Sequence, residues 1–579
     1  MLRSSRVPLF ACASFGLLLS ASAAAMVQSG STSRVTVTSS GDEVYWGGSA
    51  PSIAGDGSKI CFTSFSDELV PGDTNQYDDV FVHDRTDGSV VRASVSSAGV
   101  EGNYPSENGS LSADGRFVAF ESAANNLVPN DFNISRDIFV RDLVAGTTER
   151  VSVASNGAEV FGNNSHPSLS RDGRFVAFES TSSELVPEDH NGQPDVFVHD
   201  RVAGTTVCVS VNSNGREGHQ QSAAGQISAD GRFVVFASLA DNLVSNDKNG
   251  SWDIFVHELQ TGQTTRASVS SSGAESIGVS FDPSISADGR VVAFHSAAKT
   301  LVPGDTNDQL DCFVHDRLTG VTERVSVNSA GKQGRADSIR PALSADGRYV
   351  AFQSLSKDLV SVPTGKNWSV YLHDRQTGLT TLESVSSEGV TGELNSSSAE
   401  LSADGRYVCF TSAGIGIVPA DENGSIDVFA RDRLGCTATV ATYCTASATS
   451  VAGCMASMAS SGAPSLAAGA GFTLSSGAIP GAGLGFLRFG VAGSSALPLG
   501  TLGGQLCVDT PSFALPPKAT GGTLGVCNGS LGYTLAEMIA SHPGVILPGS
   551  TVHASFLLRD RANPDGFATS NGIWFQVCP

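Results

Sequence analysis

Short, almost continuously apolar runs recur along most of this chain, each closed by a polar turn. Phe117-Val118-Ala119-Phe120, Phe175-Val176-Ala177-Phe178, Asp137-Ile138-Phe139-Val140 and Asp195-Val196-Phe197-Val198 are examples. Their near-lack of alternation predicts strands packed on both faces, since a strand with one wet face reads apolar-polar-apolar. Between the runs stand Asp-Gly, Thr-Gly and Ala-Gly pairs, as at Asp114-Gly115, Thr261-Gly262 and Ala145-Gly146. Such pairs favour tight turns between antiparallel strands. Segments such as Arg150-Val151-Ser152-Val153 supply a further, more polar strand.

The pattern is periodic. Asp-Gly pairs begin at Asp56, Asp114, Asp172, Asp230, Asp288, Asp346 and Asp404, a constant spacing of 58 residues. Each unit holds four strand-like segments, the content of a propeller blade. Copies of the fourth segment begin at Arg34, Arg92, Arg150, Cys208, Arg266, Arg324 and Leu382, so the first precedes blade one, while the last blade loses the pattern after Asp432. The strand Arg34 to Val37 is therefore expected to complete blade seven and close the ring. An open solenoid is the alternative and would need capping repeats. The predicted fold is all-β: a seven-bladed β-propeller of four-stranded blades over residues 33–433, then a sandwich-like all-β domain over 434–579.

Ser-Ala-Asp-Gly-Arg-Phe-Val-Ala-Phe followed by Asp-Ile-Phe-Val-x-Asp resembles the TolB-like, WD-repeat-like propeller repeats of bacterial exported proteins, over roughly Ser33 to Asp432. The resemblance implies a propeller and export. It is a match to the repeat and not to TolB as a whole, whose propeller has six blades behind an α/β domain.

Charge and chain ends refine the picture. Arg3 and Arg6 precede an apolar run from Val7 to Leu19 and a small-residue stretch ending at Ala25, the pattern of a signal peptide over 1–25. No later segment is apolar enough to predict a membrane span, so the mature chain is expected in the periplasm, on the cell surface or secreted. Net charge is −22, yet from Leu434 to Pro579 four basic residues balance four acidic ones. The acidity therefore lies in the repeats, which argues against nucleic-acid and anionic-membrane partners and leaves a protein or glycan ligand.

Candidate chemistry falls in three groups. The segment between strands two and three carries Asp-x-Asn-x-x-x-Asp: Asp73/Asn75/Asp79, Asp131/Asn133/Asp137, Asp189/Asn191/Asp195, Asp247/Asn249/Asp253, Asp305/Asn307/Asp311 and Asp421/Asn423/Asp427. Clustered oxygen ligands suit calcium, although the spacing is not that of an EF-hand and Asp and Asn also make local turns. Blade six departs, with Pro363, Gly365 and Ser369 there. The residue after the strand-two Phe varies from unit to unit (Thr63, Glu121, Glu179, Ala237, His295, Gln353, Thr411), which makes Glu121, Glu179, His295 and Gln353 candidate ligand-binding residues. Glu121 and Glu179 could act as an acid–base pair in a cleft or stand as two solvated side chains, and the second reading is preferred. His83, His199, His257, His315 and His373 occupy one repeat position and read as surface residues too far apart to share a metal.

Six cysteines, Cys436, Cys444, Cys454, Cys507, Cys527 and Cys578, fall in the C-terminal segment, where export favours disulfides. Proximity suggests Cys444 with Cys454 and Cys507 with Cys527; zinc is the competing reading. Cys61, Cys312 and Cys409 replace apolar strand residues and are expected in the core. Catalytic signatures such as Gly-x-Ser-x-Gly or His-Glu-x-x-His are missing from the sequence. The chain reads as an exported, non-catalytic binding or surface-scaffold propeller, with a propeller hydrolase or lyase acting on polysaccharide or peptide as the alternative.

Overall fold

The computed structural model describes residues 30–434, apart from positions 363, 393 and 420, together with the backbone of strand segments between 441 and 576. Seven four-stranded antiparallel sheets make up the first region. In blade two the strands, A to D from inside to outside, are Ser106–Leu111, Phe117–Ser122, Asp137–Asp142 and Thr147–Arg150. Strands A to C of blade seven are Ser396–Leu401, Tyr407–Ser412 and Asp427–Asp432, and its strand D is Ser31–Arg34 from the other end of the region, paired Ser31 to Asp432 and Arg34 to Phe429.

Closure is also written in the backbone. In six of the seven blades the residue before the Asp-Gly pair hydrogen-bonds the same position of the next blade, as Ala113 N to Arg171 O, Ala345 N to Ala403 O, and across the seam Ala403 N to Gly55 O at 2.8 Å. The array is a ring and no capping repeat is needed. One detail differs from the sequence reading. Strand D ends at the arginine rather than beginning there, because Val153 leaves the sheet to bridge Glu159, and Val37 and Val95 do the same with Glu43 and Glu101.

Strands B and C are apolar on both sides because each blade is sandwiched. Cys61, Val80 and Val82 of blade one share a buried cluster with Val118, Phe120 and Phe139 of blade two. Phe120 and Phe139 stack at 5.8 Å, as do their counterparts in the other blades. Cys61, Cys312 and Cys409 are buried here, as expected.

The repeated Ser-Ala-Asp-Gly-Arg run is a clamp on the short-turn side. Ser112 Oγ donates to Asp114 Oδ1 at 2.6 Å, the same oxygen accepts from Arg116 N, and the Arg116 guanidinium pairs with Asp142 at 2.7 Å. The glycine is required twice over. Gly173 has φ +69°, and a Cβ there would lie 2.4 Å from the Phe117 ring of the preceding blade. Asp-Gly is thus both a turn and an inter-blade contact, which accounts for its fixed period.

The five histidines correct an expectation: they are buried, not on the surface. His199 is 6% exposed, and its Nδ1 faces Thr206 Oγ1 at 2.9 Å while that hydroxyl donates to Val153 O of the preceding blade. His257, His315 and His373 repeat the bridge, and His83 reaches Val35 O. Strand D and the neighbouring blade cover the end of strand C, which periodicity alone does not show.

Beyond the ring, strands pair into a seven-stranded antiparallel sheet, a three-stranded sheet and a two-stranded hairpin, so the C-terminal segment is also β. The side chains of Cys444, Cys454, Cys507 and Cys527, and the whole of residues 1–25, lie outside the described residues.

Candidate ligand-binding face

Antiparallel connectivity puts the A–B and C–D turns on one side of the ring and the longer B–C and D–A loops on the other. At the loop side each inner strand carries a bulge, and the bulged residue has φ near +50°: Ala50, Asn108, His166, Ala224, Asp282, Arg340 and Ser398. A side chain there turns out of the ladder, and the positive φ is strained for residues other than glycine. The next blade supplies the support. The carboxylate of Glu121 accepts from His166 N at 3.0 Å, that of Glu179 from Ala224 N, the Gln353 side-chain oxygen from Ser398 N, and Thr63 Oγ1 from Asn108 N.

That geometry gives the variable strand-B position a different role from the one read in the sequence. Glu121 is buried and not a solvated side chain; Arg136 Nη1 reaches it at 2.6 Å and Glu107 at 2.8 Å. Glu179 is half-buried and lies 3.5 Å from His166 Nδ1. His295 is buried with Asp282 at 3.6 Å, and Arg340 reaches the same Asp282 at 3.7 Å. Glu179, helped by Glu121 and Asp282, raises the His166 pKa, so the imidazole of blade three senses the carboxylate of blade five. Bulge residues from different blades therefore converge at the axis, with Glu121, Glu179, His295 and Gln353 one layer behind. Sequence reasoning missed the bulge positions, although their variability (Ala, Asn, His, Ala, Asp, Arg, Ser) was a usable signal.

Deeper along the inner strands, Ser52, Ser110, Ser168 and Ser284 each accept a backbone N–H from the next blade. Glu400 takes the same repeat position in blade seven, and desolvation pushes its carboxyl up to about 7.

Exposed aromatics crowd the loop side of blades seven, one and two. Tyr45 and Trp46 meet at 4.9 Å, Trp46 and Phe65 at 6.0 Å, and Tyr77 stacks on Tyr104 at 5.8 Å. Phe132 and Phe161, in the long loops of blade two, are 74% and 65% exposed. Packing does not explain large rings so exposed and so close together on one side of the ring.

The Asp-Asn loops are organised around an arginine. In blade two, Arg150 Nη1 lies 3.2 Å from Asp131, 3.1 Å from Asp137 and 2.7 Å from Glu159, the residue bridged by Val153. Arg92 holds Asp73, Asp79 and Glu101 in the same way, Arg266 holds Asp247, Asp253 and Glu275, Arg324 holds Asp305 and Asp311, and Arg34 holds Glu43, Asp421 and Asp427. The asparagine caps the loop: Asn133 Nδ2 donates to Asp137 Oδ2 and Val160 O, and Asn75, Asn191, Asn249, Asn307 and Asn423 do likewise. Burial pushes the Asp73, Asp131 and Asp247 carboxyls up to about 6 even beside the arginine.

Three of these acidic sets bring their oxygens within 4.8 Å of one another, close enough to hold a metal ion, but each already surrounds a guanidinium: Glu43/Asp421/Asp427, Asp131/Asp137/Glu159 and Asp247/Asp253/Glu275. The internal comparison carries the signal that could have shown this. Where Leu382 replaces the arginine in blade six, Pro363, Gly365, Ser369 and Thr391 replace its acidic and amide partners.

Neither a protein-family model nor a curated protein matches the sequence. Among solved structures, TolB from Acinetobacter baumannii is similar at 17% identity and TM-score 0.31, over 52% of this chain and 58% of that one. An oligogalacturonate lyase in complex with manganese is similar at 12% identity and TM-score 0.43, over 69% of this chain and 92% of that one. Pyrococcus horikoshii acylaminoacyl peptidase is similar at 11% identity and TM-score 0.39, over 63% of this chain and 49% of that one. The chain thus spans little more than half the length of that TolB. These are likenesses of fold alone. No helix among the described residues is long and apolar enough to cross a membrane.

Proposed function

We propose that this chain is an exported, non-catalytic propeller that binds a glycan on its long-loop face. The observation that carries the reading is the exposed aromatic group of blades seven, one and two, beside a polar axial mouth. Ring faces offer apolar area to sugar C–H faces, while neighbouring carboxylates and amides accept and donate to hydroxyls. An acidic ring suits a neutral or basic glycan better than a polyanionic one.

A second reading has a specific observation behind it. Glu107, Glu121, Arg136, His166 and Glu179 gather carboxylates and an imidazole from blades two and three, the residue types of a hydrolase or lyase. Against it, Glu121 is engaged by Arg136 and by a backbone N–H, so it is committed to holding the bulge.

Calorimetry of the purified chain against a panel of soluble polysaccharides, with product analysis on the same mixtures, separates the two. Saturable binding without new chain ends supports the binding role. Release of reducing or unsaturated ends that is lost in Glu121→Gln supports the enzyme. Absence of any binding refutes the proposal.

A further inference from the structure

Blade three breaks the arginine rule in one direction only. It keeps all three carboxylates, Asp189, Asp195 and Glu217, but has Cys208 where blades one, two, four, five and seven have arginine. Blade six, by contrast, lost the acids together with the arginine. Among the described residues no ion pair reaches Asp189, Asp195 or Glu217, and the exposed His190 is the basic group that acts on the Asp189 carboxylate.

The space left by the missing guanidinium is open. A cavity of about 620 Å³ is lined by Asp189, Cys208 and Glu217, with Glu184, Glu188 and Thr206 around them. Asp189 is 7% exposed, yet its Oδ1 has no hydrogen-bond partner. Asp305 Oδ1 of blade five is also without a hydrogen bond, but Arg324 lies 3.2 Å away. Asp189 lacks that relief. Asp195 is fully buried; its oxygens accept from Ser210 Oγ and Asn191 Nδ2, and Glu217 accepts from His190 N. Cys208 Sγ sits 3.3 Å from Ser210 Oγ, and a hard cation prefers carboxylate oxygen to sulfur, with Asp189 Oδ1 the unpartnered oxygen.

Three buried or half-buried carboxylates without a counter-charge are costly unless a cation joins them. The oxygens of this set do not all come within 4.8 Å of one another as those of blades two, four and seven do. We infer that blade three takes up one divalent cation of the calcium class at Asp189, drawing Asp195 and Glu217 in around it, in the place of the arginine of the other blades. Calcium accepts six to eight oxygens in irregular geometry, so carboxylates already bonded elsewhere can still serve, with water completing the shell. Magnesium demands a regular octahedron and fits such a set less well. The inference rests on these carboxylates and not on the glycan reading, so either can fail alone.

The test uses the full-length chain, stripped with chelator and titrated with calcium chloride by calorimetry, with thermal unfolding followed in parallel. One ion per chain is expected at submillimolar affinity, with a rise in Tm of a few degrees in calcium excess. Cys208→Arg supplies the missing guanidinium; it should abolish calcium binding while raising the Tm of the chelated protein. Asp189→Asn, which keeps the shape of the loop, should weaken calcium binding at least about tenfold. No binding at 5 mM calcium, or binding that persists unchanged in Asp189→Asn and in folded Cys208→Arg, overturns the inference.

Discussion

Replacing Arg266 by methionine keeps the aliphatic stem and removes the guanidinium from between Asp247, Asp253 and Glu275. Nη1 approaches the three acids at 3.4, 3.3 and 2.7 Å, and the Arg266 side chain is 9% exposed, so its loss leaves carboxylates with little access to water. Removing one partner of a buried ion pair costs about 3–5 kcal/mol. A propeller of roughly 400 residues unfolds with an entropy of about 0.8 kcal/mol per degree, so the midpoint should fall by about 5 °C at pH 8.

The pH dependence fixes the cause. Burial already holds Asp247 up at about 6 in the presence of the arginine, and without it the carboxyls rise further. A carboxyl whose folded pKa lies above its unfolded value binds more protons in the native state between the two. Stability is then lost as pH rises through that window and recovered below it. Differential scanning fluorimetry of the variant should show the full deficit at pH 8 and a much smaller one at pH 5. A deficit below about 1 °C at pH 8, or an equal deficit at both pH values, would refute the view that the arginine neutralises this cluster.

Three further perturbations address the ring itself. Gly289→Ala combines φ +70° with a Cβ placed 2.1 Å from the Phe233 ring, whereas Gly273→Ala has φ +78° and open space; urea titration should give a loss of about 3 kcal/mol or more for the first and about 1 kcal/mol for the second. Burial pushes His257 down to about 4, so its contribution is complete above its unfolded pKa near 6.5 and is lost as pH falls from there toward 4; the stability gap between wild type and His257→Gln should narrow by about 2 kcal/mol between pH 7.5 and 4.5. Val35→Pro removes the N–H that donates to Val428 O at 2.8 Å beside the closing strand, and limited proteolysis should then cut blade seven well before blades two to five.

The ring was legible because its causes are local and repeated. An apolar B and C strand, a two-residue turn and a constant period each follow from blade-on-blade packing, and the Gly173–Phe117 contact shows why the period tolerates no insertion. The site was legible only in part. Asp131 and Asp137 stand out in the sequence, but their partner Arg150 lies on the next strand, and its pairing with them depends on a register that spacing does not reveal. The bulge hides His166 and Asp282 for the same reason: a residue turned out of the ladder by one extra position looks, in sequence, like an ordinary member of a polar strand. The burial of His199 depends on Thr206 and on Val153 of the neighbouring blade, two contacts that no local pattern encodes.

Hydrogen–deuterium exchange on the full chain with and without a retained polysaccharide tests the binding-face account most directly. Protection should concentrate in segments 35–48, 65–78, 96–105 and 123–136, which carry Tyr45, Trp46, Phe65, Tyr77, Tyr104, Phe132 and the axial partner Arg136. It should vanish in Trp46→Ala/Tyr104→Ala at unchanged Tm. Protection confined to the Asp-Gly turns or to residues beyond 434, or binding that survives the double substitution intact, would contradict it.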